Sequence, residues 1–299
     1  MSLLRLALIA LALPWGAFAQ LEGVIDLHVH CAPDSGPRSI DAFDVARLAR
    51  RNGMRALLFK NHYTQTASMA YLVAQQVPGI EVYGGIALNR SVGGVNPVAV
   101  ERMAVSTGGY GRVVWMPTFD SEHYHRVFKP NPQFVPVSKD GKLLPEVLQV
   151  FDVMVEHDLA LATGHVAPAE SLLLIQAAKA KGINRIIVTH PMPKPVAMSI
   201  ADQKKAAAMG AFLEYPFNPT LPADPNWPGG QVAMDEYAKA IREVGPEHVI
   251  LSSDLGQPMN PVHTEGLKAF FAALLERGFT QAEIDRMSKR NPATFLGLE

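Results

Sequence analysis

The 299-residue sequence has a single cysteine, Cys31, and no run of basic residues. One cysteine excludes an internal disulfide, so burial of apolar side chains must stabilise the fold. The 27 Lys and Arg nearly balance the 28 Asp and Glu, and the net charge of −1 argues against nucleic acid or an anionic membrane as a partner. The composition, 48% hydrophobic and 18% charged, indicates a well-buried globular enzyme that acts on a small molecule.

The N-terminus has the pattern of a secretory signal peptide. One positive charge in residues 1–5 precedes an apolar run at 6–13, which is too short to span a bilayer. Ala17-Phe18-Ala19 then forms a small-x-small cleavage site before Gln20. We therefore expect residues 1–19 to be removed and residues 20–299 to form one domain. The protein is expected to be exported, to the periplasm of a bacterium, without stable membrane insertion.

The mature chain alternates β-prone runs with helical patterns. Eight such units, with no glycine-rich first turn, predict an α/β fold of the (β/α)8 TIM-barrel type rather than a doubly wound open sheet. The predicted strands are 23–30, 55–62, 81–88, 112–117, 160–165, 185–190, 211–215 and 248–253. The predicted helices are 39–51, with Ser39 as N-cap, 66–76, 97–106, 144–157, 168–181, 199–209, 231–244, 264–277 and 280–290.

Two connections are long. Residues 119–143 include three prolines and an Asp140-Gly141 pair typical of a tight hairpin, and residues 216–230 contain five prolines and Trp227. Long ordered loops on the C-terminal face of a barrel are usually functional, so both are predicted to shape the substrate pocket.

The first strand ends in His28-Val29-His30. Residues two apart on a strand point to the same face, so the two imidazoles should project side by side while Val29 packs on the opposite face. Such a pair is half of a metal site. The alternative is one hydrogen-bonded core histidine and one exposed histidine.

Further residues of the same type stand where later strands end, which is where a barrel carries its reactive groups. Neutral imidazoles and a carboxylate can hold one or two zinc-like ions, and Asp254 can both bind metal and move the proton of the attacking water. Mn, Fe, Co and Ni fit the same ligands. These residues are Lys60, His62, His165, His190 and Asp254.

Taken together, these motifs resemble the amidohydrolase superfamily. The resemblance rests on Asp26-x-His28-x-His30, on the single histidines and the aspartate that end strands five, six and eight, and on the Asn-Pro-Ala…Leu-Gly-Leu terminus at 291–298. It implies a TIM-barrel hydrolase in which His28, His30 and Asp254 hold the more buried metal. His165 and His190 would hold a second.

The chain departs from that family in its fourth strand, which offers no lysine or glutamate to bridge two metals. Lys60, at the end of the second strand, follows an apolar run and can point into the barrel mouth. An ammonium beside two metal ions is unfavourable, so we expect a carboxylated Lys60 to serve as the bridge. The alternative is a cationic Lys60 that binds a substrate carboxylate beside a single metal.

Other residues at the predicted barrel mouth are candidates for substrate binding. His62 and Tyr63 can contact substrate or orient ligands, and Arg90 can bind an anionic group. Tyr215 and Asn218 lie at the end of the seventh strand.

The sequence therefore predicts an exported metal-dependent hydrolase that cleaves an amide, cyclic amide, lactone or ester with metal-activated hydroxide. Two rivals stay open: a one-metal decarboxylase or hydratase-type lyase, and a non-catalytic periplasmic metal-binding protein. A nuclease of the TatD type is disfavoured by the missing fourth-strand glutamate and the lack of basic runs. A homo-oligomer is compatible with the sequence.

Overall fold

A computed structural model describes residues 21–128, 133–222 and 229–298. The predicted signal peptide lies outside the described residues, as do Pro130, Pro132 and Trp227 of the two long loops. Among the described residues, no helix combines the length and apolar character needed to cross a membrane.

Eight parallel strands form a barrel with helices between them, as predicted, and both layers follow the chain in order. The barrel closes where Val29 pairs with Leu255 and the Asp254 amide donates to the His28 carbonyl at 2.9 Å. The barrel strands are β1 (Ile25–Val29), β2 (Ala56–Phe59), β3 (Glu81–Ala87), β4 (Gly111–Trp115), β7 (Ala160–Ala162), β8 (Ile186–Val188), β9 (Phe212–Pro216) and β10 (Val249–Ser252). The helices are α1 (Ala42–Arg51), α2 (Ala67–Gln76), α3 (Pro97–Ala104), α4 (Glu122–Phe128), α5 (Pro145–Glu156), α6 (Pro168–Ala180), α7 (Ile200–Ala208), α8 (Met234–Val244), α9 (His263–Glu276), α10 (Gln281–Asp285) and α11 (Asn291–Leu296).

Two predicted helix ends are wrong. Helix α1 is capped by Asp41, whose side chain accepts from the Asp44 amide, and not by Ser39. At the other end of the chain, Asn291-Pro292 does not stop the last helix: α10 passes through a π-helical turn, Arg286–Arg290, directly into α11. Pro292 stands in the first turn of α11, directly after the π-helical turn, a position that proline tolerates because its fixed φ suits a helix.

Alternation along each strand divides the core into two clusters. Ala56 and Leu58 face the barrel axis, while Leu57 and Phe59 face the helices. Lys60, the next residue after β2, continues the inward series. The C-terminal helix α11 contributes Phe295 and Leu296 to the inner cluster. The barrel interior is therefore filled by apolar side chains, and polar groups collect at the mouth.

Strand β1 contains an irregularity that positions both histidines. Between Asp26 and Val29 the pairing with β2 shifts, so that three steps on β1 oppose two on its neighbour. Leu27 belongs to the inner apolar cluster and His28, the next residue, also lines the mouth. A bulge changes the direction of side chains in this way, so that two successive residues, Leu27 and His28, both point inward.

The described part of the loop after β4 contains regular secondary structure. It contains α4 and a two-stranded hairpin, β5 (Ser138–Lys139) and β6 (Lys142–Leu143). Asp140 and Gly141 join the two strands, both with positive φ, as a type I′ turn requires. The predicted tight hairpin is thus confirmed.

Candidate active site

Three side chains converge where the barrel closes. Oδ1 of Asp254 lies 3.1 Å from Nε2 of His28 and 3.1 Å from Nε2 of His30. His28 lies in β1, His30 directly follows that strand, Asp254 follows β10, and both histidines are buried. Asp254 has a left-handed backbone with φ of +51°, a conformation that aspartate tolerates better than most residues and that is common at functional sites.

A buried carboxylate orients His28 from behind. Oε1 of Glu214, on β9, lies 2.8 Å from Nδ1 of His28 and also accepts from the Ser252 hydroxyl at 2.8 Å. Burial raises the pKa of Glu214, but the charges of His28, His190 and Lys60 outweigh it and hold that pKa below its usual range. An ionised Glu214 keeps the proton of His28 on Nδ1 and leaves Nε2 free to bind a cation.

His165 and His190 form the second group. Their Nε2 atoms lie 3.0 Å apart, and the Nδ1 atom of each is buried without a hydrogen-bond partner among the described residues. Gly164 enables the turn before His165: its φ is +67°, and a Cβ there would stand 2.2 Å from the Met116 carbonyl oxygen. His190 itself has a φ of +23°. Both histidines thus depend on unusual backbone geometry just beyond short strands.

Lys60 lies beside the first group of ligands. Its Nζ is 2.9 Å from Nε2 of His28 and 5.5 Å from the centre of the Trp115 ring. The side chain is buried, and burial lowers its pKa to about 8 despite the nearby charges of Asp254 and Glu214. With that pKa, roughly a tenth of Lys60 is an uncharged amine at pH 7, far more than for an ordinary lysine.

The protonation states suit metal binding. Burial lowers the pKa of His30 to about 3 and of His190 to about 4, and moves that of His165 well below its usual value. Burial opposes ionisation of Asp254, yet the neighbouring histidines, His28 first, hold its pKa well below the ordinary range. Neutral imidazoles with an ionised carboxylate are the forms in which these groups bind metal ions.

The donor set fits a divalent ion. Ligand atoms that share one ion at roughly 2.0–2.1 Å lie about 3 Å apart in tetrahedral geometry. The spacing between Asp254 and the two β1 histidines and the spacing between His165 and His190 both match this value. Among the described residues, His28, His30 and Asp254 each offer one ligand atom, and these three atoms all lie within 4.8 Å of one another.

All six predicted metal ligands, Lys60 included, line one cavity of about 230 Å³ at the barrel mouth. Phe119 and the proline and leucine residues after β9 form the apolar part of its lining, and amide side chains add polar groups. Asn218 lies 3.5 Å from Asp254 and accepts from Asn260, which also bonds Gln257. The lining residues are His28, His30, Arg38, Lys60, His62, Phe119, His165, His190, Asn218, Pro219, Leu221, Pro222, Gly230, Asp254, Gln257, Pro258, Met259 and Asn260.

Two of the five predicted substrate-binding residues, His62 and Asn218, line the cavity. Tyr63, 40% exposed, and Arg90, an exposed residue whose amide donates to Asp120, are not among its lining residues. The role predicted for Tyr215 is wrong.

Strand alternation explains the misplacement of Tyr215. Glu214 is the residue of β9 that faces the barrel axis, so Tyr215 points into the helical layer. There its hydroxyl donates to Gln203 and its ring packs on Tyr237.

Several residues of the site were not predicted. Glu214 carried a usable signal, because it is the lone carboxylate of an otherwise apolar strand. Arg38 carried none: it lies in the loop after β1, paired with Asp34 at 2.7 Å, and its Nη2 is 3.4 Å from Nδ1 of His30. Asn260 and Gln257 belong to an irregular loop that sequence patterns do not place.

The fold and the site together define a (β/α)8 barrel with a histidine, aspartate and lysine cluster at its C-terminal mouth. Residues 23–214 match a family of unknown function, DUF6282, and the chain belongs to that family. Comparison with curated proteins gives no match.

Solved structures with the same fold include phosphotriesterase-like proteins. An organophosphorus hydrolase from Deinococcus radiodurans is 16% identical, with a TM-score of 0.58 and 94% of each chain covered. A phosphotriesterase homology protein from Escherichia coli, complexed with phosphate in its active site, is 15% identical, with a TM-score of 0.59 over 92% of this chain and 99% of that one. A third protein, in which organophosphate hydrolysis was engineered from a weak promiscuous lactonase template, is 16% identical, with a TM-score of 0.60 over 94% and 97%. At these identities the likeness establishes the fold.

Proposed function

We propose that the protein is a metal-dependent hydrolase of the amidohydrolase type. The observation that carries the proposal is the convergence of His28, His30 and Asp254, with His165 and His190, on one cavity. These residues come from four separate strands, and a packing role alone gives no reason for so many buried imidazoles in one place.

The substrate we propose is a small amide, cyclic amide, lactone or ester. A cavity of about 230 Å³ accommodates a molecule of that size. Lactones are the first class to test, because one protein of the same fold was engineered from a lactonase template.

In this proposal His28, His30 and Asp254 hold one divalent ion and His165 and His190 hold another, zinc being the first candidate. When bound, such an ion lowers the pKa of water from 15.7 to about 7 and polarises a carbonyl. Asp254, ionised and 3.5 Å from the Asn218 amide, takes the proton of the attacking water and passes it to the leaving group. Glu214 keeps His28 in the binding tautomer throughout.

Lys60 supplies the proposed bridge. Its uncharged amine adds to CO2, forming one N–C bond and releasing one proton, and the carbamate carries the negative charge that two cations require. The lowered pKa of the amine and its burial beside His28 support this assignment.

One observation favours the rival one-metal lyase. His28, His30 and Asp254 form a three-ligand set that does not include Lys60. In that reading Lys60 is a cation that binds a substrate carboxylate.

Metal stoichiometry on the purified protein separates the two readings. We expect two metals per chain, together with a carbamate carbon signal in the ¹³C NMR spectrum of protein equilibrated with ¹³C-bicarbonate. The signal should be absent from Lys60→Met. One metal and no carbamate signal would remove the two-metal mechanism and favour the lyase.

A substrate panel tests hydrolysis itself. Asp254→Asn should abolish turnover of every lactone, ester or amide that the protein cleaves, and leave its circular dichroism unchanged. Asp235→Asn, which removes the same charge from an exposed surface pair, is the matched control and should be fully active. Retained turnover in Asp254→Asn would refute the role of this residue.

We also propose that the protein is exported to the periplasm. The support is the signal-peptide pattern of residues 1–19. N-terminal sequencing of the periplasmic fraction should give a mature chain that begins at Gln20, and an intact Met1 in the cytosol would contradict the proposal.

A further inference from the structure

His62 is the histidine of the cavity that no ligand set includes. It follows Lys60 by two residues, is buried, and lines the cavity between the two groups of ligands. Its ring stacks on that of His30 at 5.1 Å and packs on Phe119 at 4.1 Å, and the His165 ring is 6.2 Å away. These contacts fix the plane of the ring, so the position of its proton decides what it offers to a substrate.

Asn89, behind this ring, has an unambiguous orientation. One atom of its side-chain amide accepts from the amides of Thr118 at 2.9 Å and Asp120 at 3.2 Å, and must be the oxygen. The other donates to the carbonyl of His62 at 2.7 Å and must be the nitrogen. Because main-chain groups have fixed donor and acceptor roles, they define the direction of every bond that Asn89 makes.

The second hydrogen of the Asn89 amide determines the direction at Thr118. It is donated to Oγ1 of Thr118 at 2.7 Å, so that oxygen is an acceptor from Asn89. The buried hydroxyl must place its own hydrogen elsewhere, and the remaining neighbour within bonding distance among the described residues is Nδ1 of His62, at 2.9 Å. A hydroxyl that donates to Nδ1 leaves the imidazole proton on Nε2.

Nδ1 of His62 is thus occupied by Thr118, and Nε2 is the nitrogen left for the cavity. We propose that His62 is a further catalytic residue: its Nε2–H donates a hydrogen bond to the substrate oxygen on which negative charge develops when water adds to the carbonyl. Asn89 and Thr118 are positioning residues that set this tautomer. The inference rests on the proposed hydrolase function. No proton is transferred by His62, so it begins and ends each turnover in the same state.

Two-bond ¹H–¹⁵N spectra of protein labelled at histidine test the positioning part, because they distinguish the two tautomers directly. We expect Nε2–H for His62 in the wild type and in Thr118→Ser, which keeps the hydroxyl. Thr118→Val should mix or reverse the tautomer. Thr264→Val, which removes a buried hydroxyl without a hydrogen-bond partner elsewhere in the described structure, is the matched control and should change nothing. An Nδ1–H tautomer in the wild type, or one that ignores Thr118→Val, overturns the inference.

Kinetics on a substrate found in the panel test the catalytic part. Removing one oxyanion donor typically lowers kcat 10²–10³-fold, and we expect that loss in His62→Phe with KM changed less than about threefold. Thr118→Val should give a smaller loss of kcat that Thr118→Ser restores. The metal content should stay at the wild-type value in all three variants. Loss of metal from His62→Phe would make His62 a ligand and overturn the proposal.

The two hypotheses fail differently. Wild-type kcat in a folded His62→Phe overturns the role of His62 and leaves the hydrolase function intact. A wild-type protein that hydrolyses nothing in the panel overturns the hydrolase function, and the catalytic role of His62 falls with it.

Discussion

Replacing Glu214 by glutamine should weaken metal binding without disturbing the fold. The carboxylate has two partners, the His28 ring and the Ser252 hydroxyl, both on Oε1 at 2.8 Å. Glutamine has the same shape, and its amide oxygen can accept both bonds. The substitution therefore removes one negative charge and little else, which isolates the electrostatic contribution of Glu214 to the orientation of His28.

The size of the effect follows from those contacts. A hydrogen bond to a charged group contributes about 1.5–3 kcal/mol and a neutral one about 1 kcal/mol, so the change weakens the hydrogen bond that orients His28 by roughly 0.5–2 kcal/mol. Partners of metal-binding histidines typically change metal affinity by about 10–100-fold, or roughly 1.4–2.7 kcal/mol. We expect the Kd for the tighter metal to rise by a factor in this range.

Competition with a chromophoric chelator at pH 7.5 measures that Kd. Glu243→Gln removes the same charge from an exposed ion pair with Lys204 and is the control that should bind metal normally. Wild-type affinity in Glu214→Gln would refute the reasoning, because it would mean that the Glu214 charge does not determine how His28 binds. A thermal melt of the metal-free variant excludes simple unfolding as the cause of any loss.

The other predictions concern the proposed Lys60 bridge, the packing of the hydrophobic core and the dependence of stability on pH. Lys60→Met should reduce the metal content from two ions to one, measured by inductively coupled plasma mass spectrometry; two ions in the variant would exclude a bridging Lys60. Phe151→Ala, in the buried face of α5, should cost about 3–5 kcal/mol in urea unfolding, and a loss below about 1 kcal/mol would contradict its placement in the core. Burial lowers the pKa of His263 from 6.5 to about 4, so the folded state keeps it neutral at a pH where the unfolded chain protonates it. The contribution of neutral His263 to the free energy of unfolding is full above pH 6.5. It is lost as the pH falls toward 4, which lowers that free energy by about 3 kcal/mol. A His263→Gln variant that keeps the fold should show a correspondingly flatter decline.

In the described site, the histidines proposed to bind metal or substrate are oriented by other side chains. His28 depends on Glu214, and His62 depends on Thr118 and Asn89. Each orienting group is buried and bonded in turn to a hydroxyl or to the main chain, which fixes the imidazole before any ligand arrives. A site of this kind needs little rearrangement on binding, and rigid placement of that sort is what catalysis by oriented donors requires.

The sequence alone determined the barrel and the direction of its ligands. Period-two alternation places His28 and His30 on one face, and Lys60 inward after Leu58, because side chains of a strand must alternate. The ends of parallel strands in a barrel meet at one mouth, so His165, His190 and Asp254 could be expected near them without knowing any distance. These statements depend on local geometry and on fold class, which the apolar pattern encodes.

Tertiary structure alone decided which partners these residues meet. The bulge in β1, the contact of Glu214 with His28, and the path from Asn89 through Thr118 to His62 each join segments that are distant in sequence. Tyr215 was misplaced because the end of a strand does not reveal which of its last two residues faces inward until the register is known. Hydrogen bonds between distant segments depend on distances of a few tenths of an ångström, and no pattern along one chain specifies those.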